Sequence, residues 1–195
     1  LSVDIGAQVT PDAEVLIEID KSVGDVIKAR GNGVIDLSIN PAREIFDLYG
    51  DYHVTDGSYK FVLAGIASRD FQLEPGGTIN FNGDISNTTL DLDAVYSTKA
   101  NINTLIADTN SVATRRNVNC IIGMQGRMMN PELNFTIDIP DLDPTAKMRV
   151  ESAFNTQGKV QKQFMSLLAL GNFLPDDQSG IANNSSVWYS NASEM

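Results

Sequence analysis

The chain has 195 residues, 42% hydrophobic and 20% charged, with a net charge of −11. That is ample apolar material for one substantial domain or two small ones. The acidity argues against a nucleic-acid binder, whose affinity comes from Lys and Arg on phosphates, and disfavours docking on anionic lipid headgroups. No stretch approaches the ~18 to 20 apolar residues of a membrane-spanning helix.

Residues 13–19 and 26–30 read as strands. Residues 34–39 follow, with Ile35, Leu37 and Ile39 on one face, Asp36 and Ser38 on the other, and Pro41 as a stop. The intervening Gly31-Asn32-Gly33 reads as a bulge or turn. In YGDYHVTDGSYKFVL, residues 49–63, Tyr52 and Val54 alternate with Asp51, His53 and Thr55. Asp56-Gly57 is a turn signal, after which Tyr59, Phe61 and Leu63 resume the apolar side. This predicts a hairpin of 45–54 and 58–63 with one apolar face. Phe71 and Leu73 alternate around Gln72, Pro75-Gly76-Gly77 turns, and Ile79 and Phe81 alternate around Asn80. Gly83-Asp84 opens another turn, and Leu90, Leu92 and Ala94 alternate with Asp91, Asp93 and Val95. The stretch 104–117 is irregular, with a short helix expected at 103–108 and a mobile loop after it. Val118, Cys120, Ile122 and Met124 mark another strand, and Leu133, Phe135, Ile137 and Ile139 the last, ending at Pro140. The spacing is too short for βαβ crossovers, so neighbouring strands should pair antiparallel as a meander.

The period then changes. Asp143-Pro144 supplies a cap and a first-turn proline. Ala146, Val150, Ala153, Val160, Phe164, Leu167 and Leu168 recur at helical spacing, and Gly171-Asn172 and Pro175 end the run. This predicts one amphipathic helix over about 144–171, weakened and open to division at Gly158. Residues 1–175 make the folded domain, and 176–195, rich in Asp, Gln, Ser and Asn, a polar linker or disordered tail. The opening without Met reads as a piece of something longer.

Catalysis needs a constellation, and none is legible. There is no nucleophile elbow, His pair, Cys pair or phosphate loop, so the expectation is no enzyme, no cofactor and no metal. His53 falls on a polar strand face. Cys120 lies in an apolar run and reads as a small buried hydrophobe. Asp84, Asp91 and Asp93 could hold calcium or divide acid and base roles, but a solvated face beside Leu90 and Leu92 accounts for them. Arg115-Arg116 is too short for a basic patch.

The sheet exceeds its cover. About nine strands at ~4.8 Å, each about 20 Å long, give an apolar face on the order of 800 Å². A helix of ~27 residues, about 40 Å by ~10 Å, covers roughly half of it. A barrel, a sandwich or a U-shaped trough would each resolve the surplus, and the pattern alone does not choose among them.

The phrases GDYHVTDGSYKF, FQLEPGGTINFNGD, LDLDAVYSTKANINTL, VNCIIGMQGRMMNPELNFTIDIPD and QKQFMSLLALGNFLP, in that order over about residues 30–175, resemble the C-terminal domain of the TamB family, the translocation and assembly module proteins, in its Bacteroidetes form. Ile85 stands where many relatives carry Pro after the Gly-Asp turn, and the chain ends before the final strands expected of a whole domain. The resemblance implies a mainly β fold: an antiparallel meander curled into a U-shaped trough, a β-taco, with a hydrophobic interior and one C-terminal amphipathic helix. It implies the periplasmic part of a protein anchored in the inner membrane, similar to AsmA-like lipid-transfer bridges. It also implies an Omp85-type, TamA-like outer-membrane barrel as partner. On that reading phospholipid acyl chains would lie against Ile35, Leu37, Ile39, Tyr59, Phe61, Leu63, Phe71, Leu73, Ile79, Phe81, Leu90, Leu92, Phe135 and Ile137. Two alternatives stand beside it. One is a chaperone or docking module for nascent outer-membrane β-barrel proteins, acting by β-augmentation. The other is an inert spacer. Exposed sheet edges would also permit edge-to-edge self-association.

Overall fold

The computed structural model describes residues 2–20, 22–63, 65, 67–107 and 115–175. The expected tail, 176–195, and residues 109–114 of the expected loop lie outside the described residues, while 115–117, the rest of that loop, are strand. The described chain is mainly β. Nine strands form: β1 (Val3–Val9), β2 (Glu14–Asp20), β3 (Asp25–Asn40), β4 (Ile45–Leu63), β5 (Ala67–Leu73), β6 (Thr78–Asp84), β7 (Thr89–Asn101), β8 (Arg115–Arg127) and β9 (Glu132–Asp138). Two helices follow, α1 (Pro144–Ala153) and α2 (Gln157–Leu170). The strand order is β1-β3-β4-β5-β7-β8-β9, with β2 also on β3, and β6 on both β4 and β7. The ladders β1–β3, β2–β3, β3–β4, β4–β6, β5–β7 and β6–β7 are antiparallel.

The pairing is not a simple meander. β1 and β2 run end to end along β3: Val9 faces Gly33, Glu14 faces Arg30, and residues 10–13 loop out between them. β5 and β6 repeat the device. Leu73 faces Ala94 and Thr78 faces both His53 and Asp91. The loop between them is tied down by bonds from Val54 N–H to the Gly77 carbonyl (2.8 Å), Gly76 N–H to the Val54 carbonyl (2.9 Å) and Glu74 N–H to the Asp93 carbonyl (2.8 Å).

The expected hairpin at Asp56-Gly57 is instead a bulge inside one 19-residue strand. β3 pairs with both halves of β4, and the register slips by one residue where Arg30 faces Asp56 but Gly31 faces Val54. Thr55 is the extra residue. Its insertion has a purpose visible in the numbering. Tyr52 and Val54 are even, Tyr59 and Phe61 odd, and all four are buried. One added residue restores them to a common face without reversing the chain. The Gly31-Asn32-Gly33 segment, expected as a bulge or turn, lies within continuous strand and begins at this register slip between Arg30 and Gly31.

The described residues form two compact units. Unit 1 comprises the described residues within 2–61, 69–96 and 121–134, and unit 2 those within 62–68, 97–107, 115–120 and 135–175. Unit 1 has an aromatic core in which Phe71 meets Tyr59, Phe61 and Tyr96 at centroid distances of 6.4, 6.1 and 5.7 Å. In unit 2 the apolar faces of α1 and α2 bury Val150, Ala153, Phe164, Leu167 and Leu168 together with Val118, Cys120, Ile137 and Ile139. The Phe164 ring lies 4.9 Å from Phe135.

The single expected helix is divided, but not by Gly158. α1 stops at Phe154, and α2 restarts behind Thr156, whose hydroxyl accepts from Lys159 N–H (3.3 Å). A capping residue outcompetes helix continuation because it satisfies the orphan amides of a new first turn. Gln163, buried on α2, clasps the returning chain: its side-chain amide gives and takes one hydrogen bond, each 2.9 Å, with the Leu174 backbone. Ser166 donates to the Asn172 carbonyl (2.7 Å), and Phe173 packs on Phe154. The short helix expected at 103–108 is a set of turns over 103–107, anchored by buried Ile102 and Leu105.

Candidate apolar binding face

Register assigns the side chains of unit 1 to two faces, because residues directly opposite in a ladder point the same way. One face is polar. It carries Asp4, Asp36, Ser38, Asp47, Asp51, His53, Asn80 and Asp84. Ser38 donates to Asp4 (2.7 Å), and Asn80 donates to Asp51. Gln125 donates to Asp91 (3.1 Å). Asp84 caps the short turn Ile85–Asn87. The hydrogen bonds from Ser86, side chain first and backbone second, hold its carboxyl below the usual range. Among the described residues no group of three His, Cys, Asp or Glu side chains is arranged to hold a metal.

The opposite face is apolar and is ordered in cross-strand rows. The outermost row is Val3–Ile39–Phe46, and the next Ile5–Leu37–Leu48–Gly83. In the third row Ala7 faces Ile35, and Phe81 faces Gly50. Gly50 and Gly83 put nothing on this face, so the floor is low between the aliphatic side chains. These rows are open: Val3, Ile5 and Phe46 are 39%, 47% and 54% exposed, and Ile35, Leu37, Ile39, Leu48 and Phe81 are half-buried.

The fourth row is Val9–Gly33–Tyr52–Ile79–Leu90, and here the face closes. Tyr52, Ile79 and Leu90 are 1%, 0% and 4% exposed. The Tyr52 hydroxyl donates to the Ala29 carbonyl (3.3 Å), which lies four residues along β3 from the Gly33 that Tyr52 faces. A Cβ on Gly31 would lie 2.0 Å from the His53 carbonyl oxygen, so only glycine permits this approach of β3 and β4. Gly57 does the same at the bulge, with φ +157° and 2.2 Å from a built Cβ to the Lys28 carbonyl oxygen. Beyond the row Ile27, Ala29, Tyr59, Phe61, Phe71 and Leu73 are all closed to solvent. The Tyr59 phenol is pushed far above its usual range by burial and, secondarily, by the Asp25 charge.

The fourteen residues expected to line one groove therefore fall into three sets. Ile35, Leu37, Ile39 and Phe81 lie on the open rows. Tyr59, Phe61, Phe71, Leu73, Ile79, Leu90 and Leu92 lie in the closed part of unit 1. Leu63, Phe135 and Ile137 belong to unit 2, where Phe135 is covered by Phe164. Sequence reading missed Val3, Ile5, Phe46 and Leu48, although Val3-Asp4-Ile5 and Phe46-Asp47-Leu48 alternate plainly enough to have been found. Cys120 is buried, its thiol pushed up to about 12 by desolvation, which leaves it an inert packing group.

No helix among the described residues is long and apolar enough to cross a membrane. No curated protein and no solved structure matches the chain. The TamB C-terminal domain family matches residues 1–192, nearly the whole length. Proteins of this family belong to the cell envelope and act in the translocation and assembly module, with a TamA-like partner. A mainly β, antiparallel chain with one polar and one apolar sheet face, matched over that span, is a member of the TamB C-terminal domain family.

Proposed function

We propose that this chain is a periplasmic segment of a bridge between the two envelope membranes, and that the open rows of its apolar face shelter lipid acyl chains while it supports outer-membrane biogenesis beside an Omp85-type, TamA-like barrel. It works by binding and not by catalysis. The observation that carries this reading is the face around Leu37: three consecutive rows of aliphatic and aromatic side chains, floored by Gly50 and Gly83, left accessible beside a mainly polar opposite face. A contiguous bare apolar face is the kind of surface that serves interaction. No polar group on these rows is placed to fix a guest in one position, and each buried methylene contributes about 0.8 kcal/mol. Uniform grease of this kind holds a chain while letting it slide.

The test is to purify the 195-residue chain, extract it and identify bound lipid by mass spectrometry. Ile5→Asp with Phe46→Asp places charges on exposed positions of the open rows and should abolish co-purified lipid with the fold intact. Phe61 is unsuited to such a test, because a charge there would break the aromatic core. Lipid recovery unchanged in the double variant, or absent from the wild type, removes the reading. Crosslinking from Phe46 to unfolded outer-membrane proteins in place of lipid would favour the chaperone role.

A further inference from the structure

Resting on the acyl-chain reading, we propose that the row Val9–Gly33–Tyr52–Ile79–Leu90 is the inner end of the lipid track in unit 1, and that Tyr52 is its stop. A chain sliding along β3 from Ile39 passes Leu37 and Ile35 over rows whose side chains are accessible. At Gly33 it meets the Tyr52 ring, which is pinned by its hydroxyl to the Ala29 carbonyl (3.3 Å). Gly31 lets β3 and β4 come together here, since a Cβ on it would lie 2.0 Å from the His53 carbonyl oxygen, and the buried tyrosine closes the face. Past that point the face holds no space that a guest could enter, because Ile27, Ala29 and Tyr59 are at most 1% exposed.

The consequence is a ruler. From the Ile39 row to the Gly33 row is six residues, about 20 Å at ~3.3 Å per residue, which matches the extended length of a common acyl chain. The occupant is therefore one acyl chain entering from the Val3–Ile39–Phe46 end, tail first, and leaving by the same end or sideways over β1. It does not thread through unit 1.

Photo-crosslinking tests this on the full 195-residue chain, using a fatty acid with a diazirine at its tail and peptide mapping of the adducts. The expected adducts fall on Ile35, Gly50, Tyr52 and Phe81, with none on Ile27, Ala29 or Phe71. Adducts on both sides of Tyr52 in the wild type overturn the stop while leaving lipid sheltering intact. No adduct anywhere overturns both. Tyr52→Ala should let adducts reach Ala29 and Ile27, whereas Tyr52→Phe, which keeps the ring, should leave the map unchanged. An unchanged map in folded Tyr52→Ala refutes the role of the ring. A measurement on the wild type alone guards against a variant that fails to fold: affinity for saturated fatty acids of increasing length. Each added methylene should strengthen binding by up to ~4-fold until the track is filled, and by almost nothing beyond it. A rise that continues past about 20 Å of chain overturns the ruler.

Discussion

Ile27 and Leu37 stand on the same strand and the same face, yet Ile27 is 0% exposed while Leu37 is half-buried. The two halves of the apolar face of unit 1 share strands, alternation and a polar reverse side. They differ in aromatic bulk and in strand approach. Tyr52, Tyr59, Phe61 and Phe71 lie on the closed half or its border, against Phe46 and Phe81 on the open half. Glycines stand on both, Gly31, Gly33 and Gly57 drawing β3 and β4 together on the closed side and Gly50 and Gly83 lying on the open one. Alternation specifies that a face exists, and side-chain volume on neighbouring strands specifies whether it is covered. Unit 2 shows the other means of cover, in which α2 lays Phe164 on Phe135.

The sharpest way to break this contrast is at the glycine that allows the closed half to close. Gly31→Val puts a branched side chain where even a Cβ would lie 2.0 Å from the His53 carbonyl oxygen. The partner is backbone and cannot rotate away, so β3 and β4 must separate along the bulge. The expected cost exceeds about 4 kcal/mol, enough to remove the cooperative unfolding transition in urea. A Gly31→Val chain that melts within 1 to 2 °C of wild type (roughly a few tenths of a kcal/mol) would show that the approach of the two strands is not what holds the border.

A paired truncation weighs the halves directly. Phe71→Ala empties the centre of an aromatic cluster and should cost about 3 to 5 kcal/mol. Phe46→Ala removes a ring that is 54% exposed and should stay within about 1 kcal/mol. Denaturant midpoints measure both. Equal costs would mean that Phe46 is covered in solution and that the open rows are not open.

Much of this was legible in the residues. The strand series from β2 onward, the apolar partners Ile35, Leu37 and Ile39 and the cap at Asp143 all follow from period and residue type. The bulge was not read, because Asp56-Gly57 carries the same local signal for a turn and for a bulge. The arbiter was non-local. Ile27, Ala29, Gly31, Gly33, Ile35, Leu37 and Ile39 keep one parity for thirteen residues, which demands a partner strand just as long. The glycines hid that run by standing in apolar places. Closure of the face at Tyr52 was illegible for a related reason: nothing local tells that a tyrosine hydroxyl will reach a carbonyl four residues along the neighbouring strand from its own partner. Division of the helix at Thr156 was missed because Gly158 is the stronger local breaker, while the cap that decides the matter depends on one hydroxyl.

High pH offers a gentler contrast. The Tyr59 phenol is held well above its ordinary range by burial and by Asp25. A raised acid stabilises the fold fully below its unfolded value of about 10. That contribution is lost as pH climbs further, because the unfolded chain releases the proton first. The closed half should therefore loosen above about pH 10, and Tyr59→Phe should flatten the fall in urea midpoint between pH 9 and 12. An unchanged alkaline slope in Tyr59→Phe would place the sensitive group elsewhere.

The smallest effect separates the two helices that cover unit 2. α1 buries only Val150 and Ala153, whereas α2 buries Gln163, Phe164, Ser166, Leu167 and Leu168. α1 therefore leans more on its cap, in which the Asp143 carboxylate accepts from Thr145 and Ala146 N–H, each at 3.0 Å. Asp143→Ala should cost about 1 kcal/mol and quicken amide exchange over 144–153. Thr156→Ala removes a single, longer bond of 3.3 Å and should cost less, since packing already fixes α2. If exchange in α2 rises as much as in α1, the helices are held alike by their caps. The cover over Phe135 would then be as easily lifted as the open half of unit 1 is easily filled.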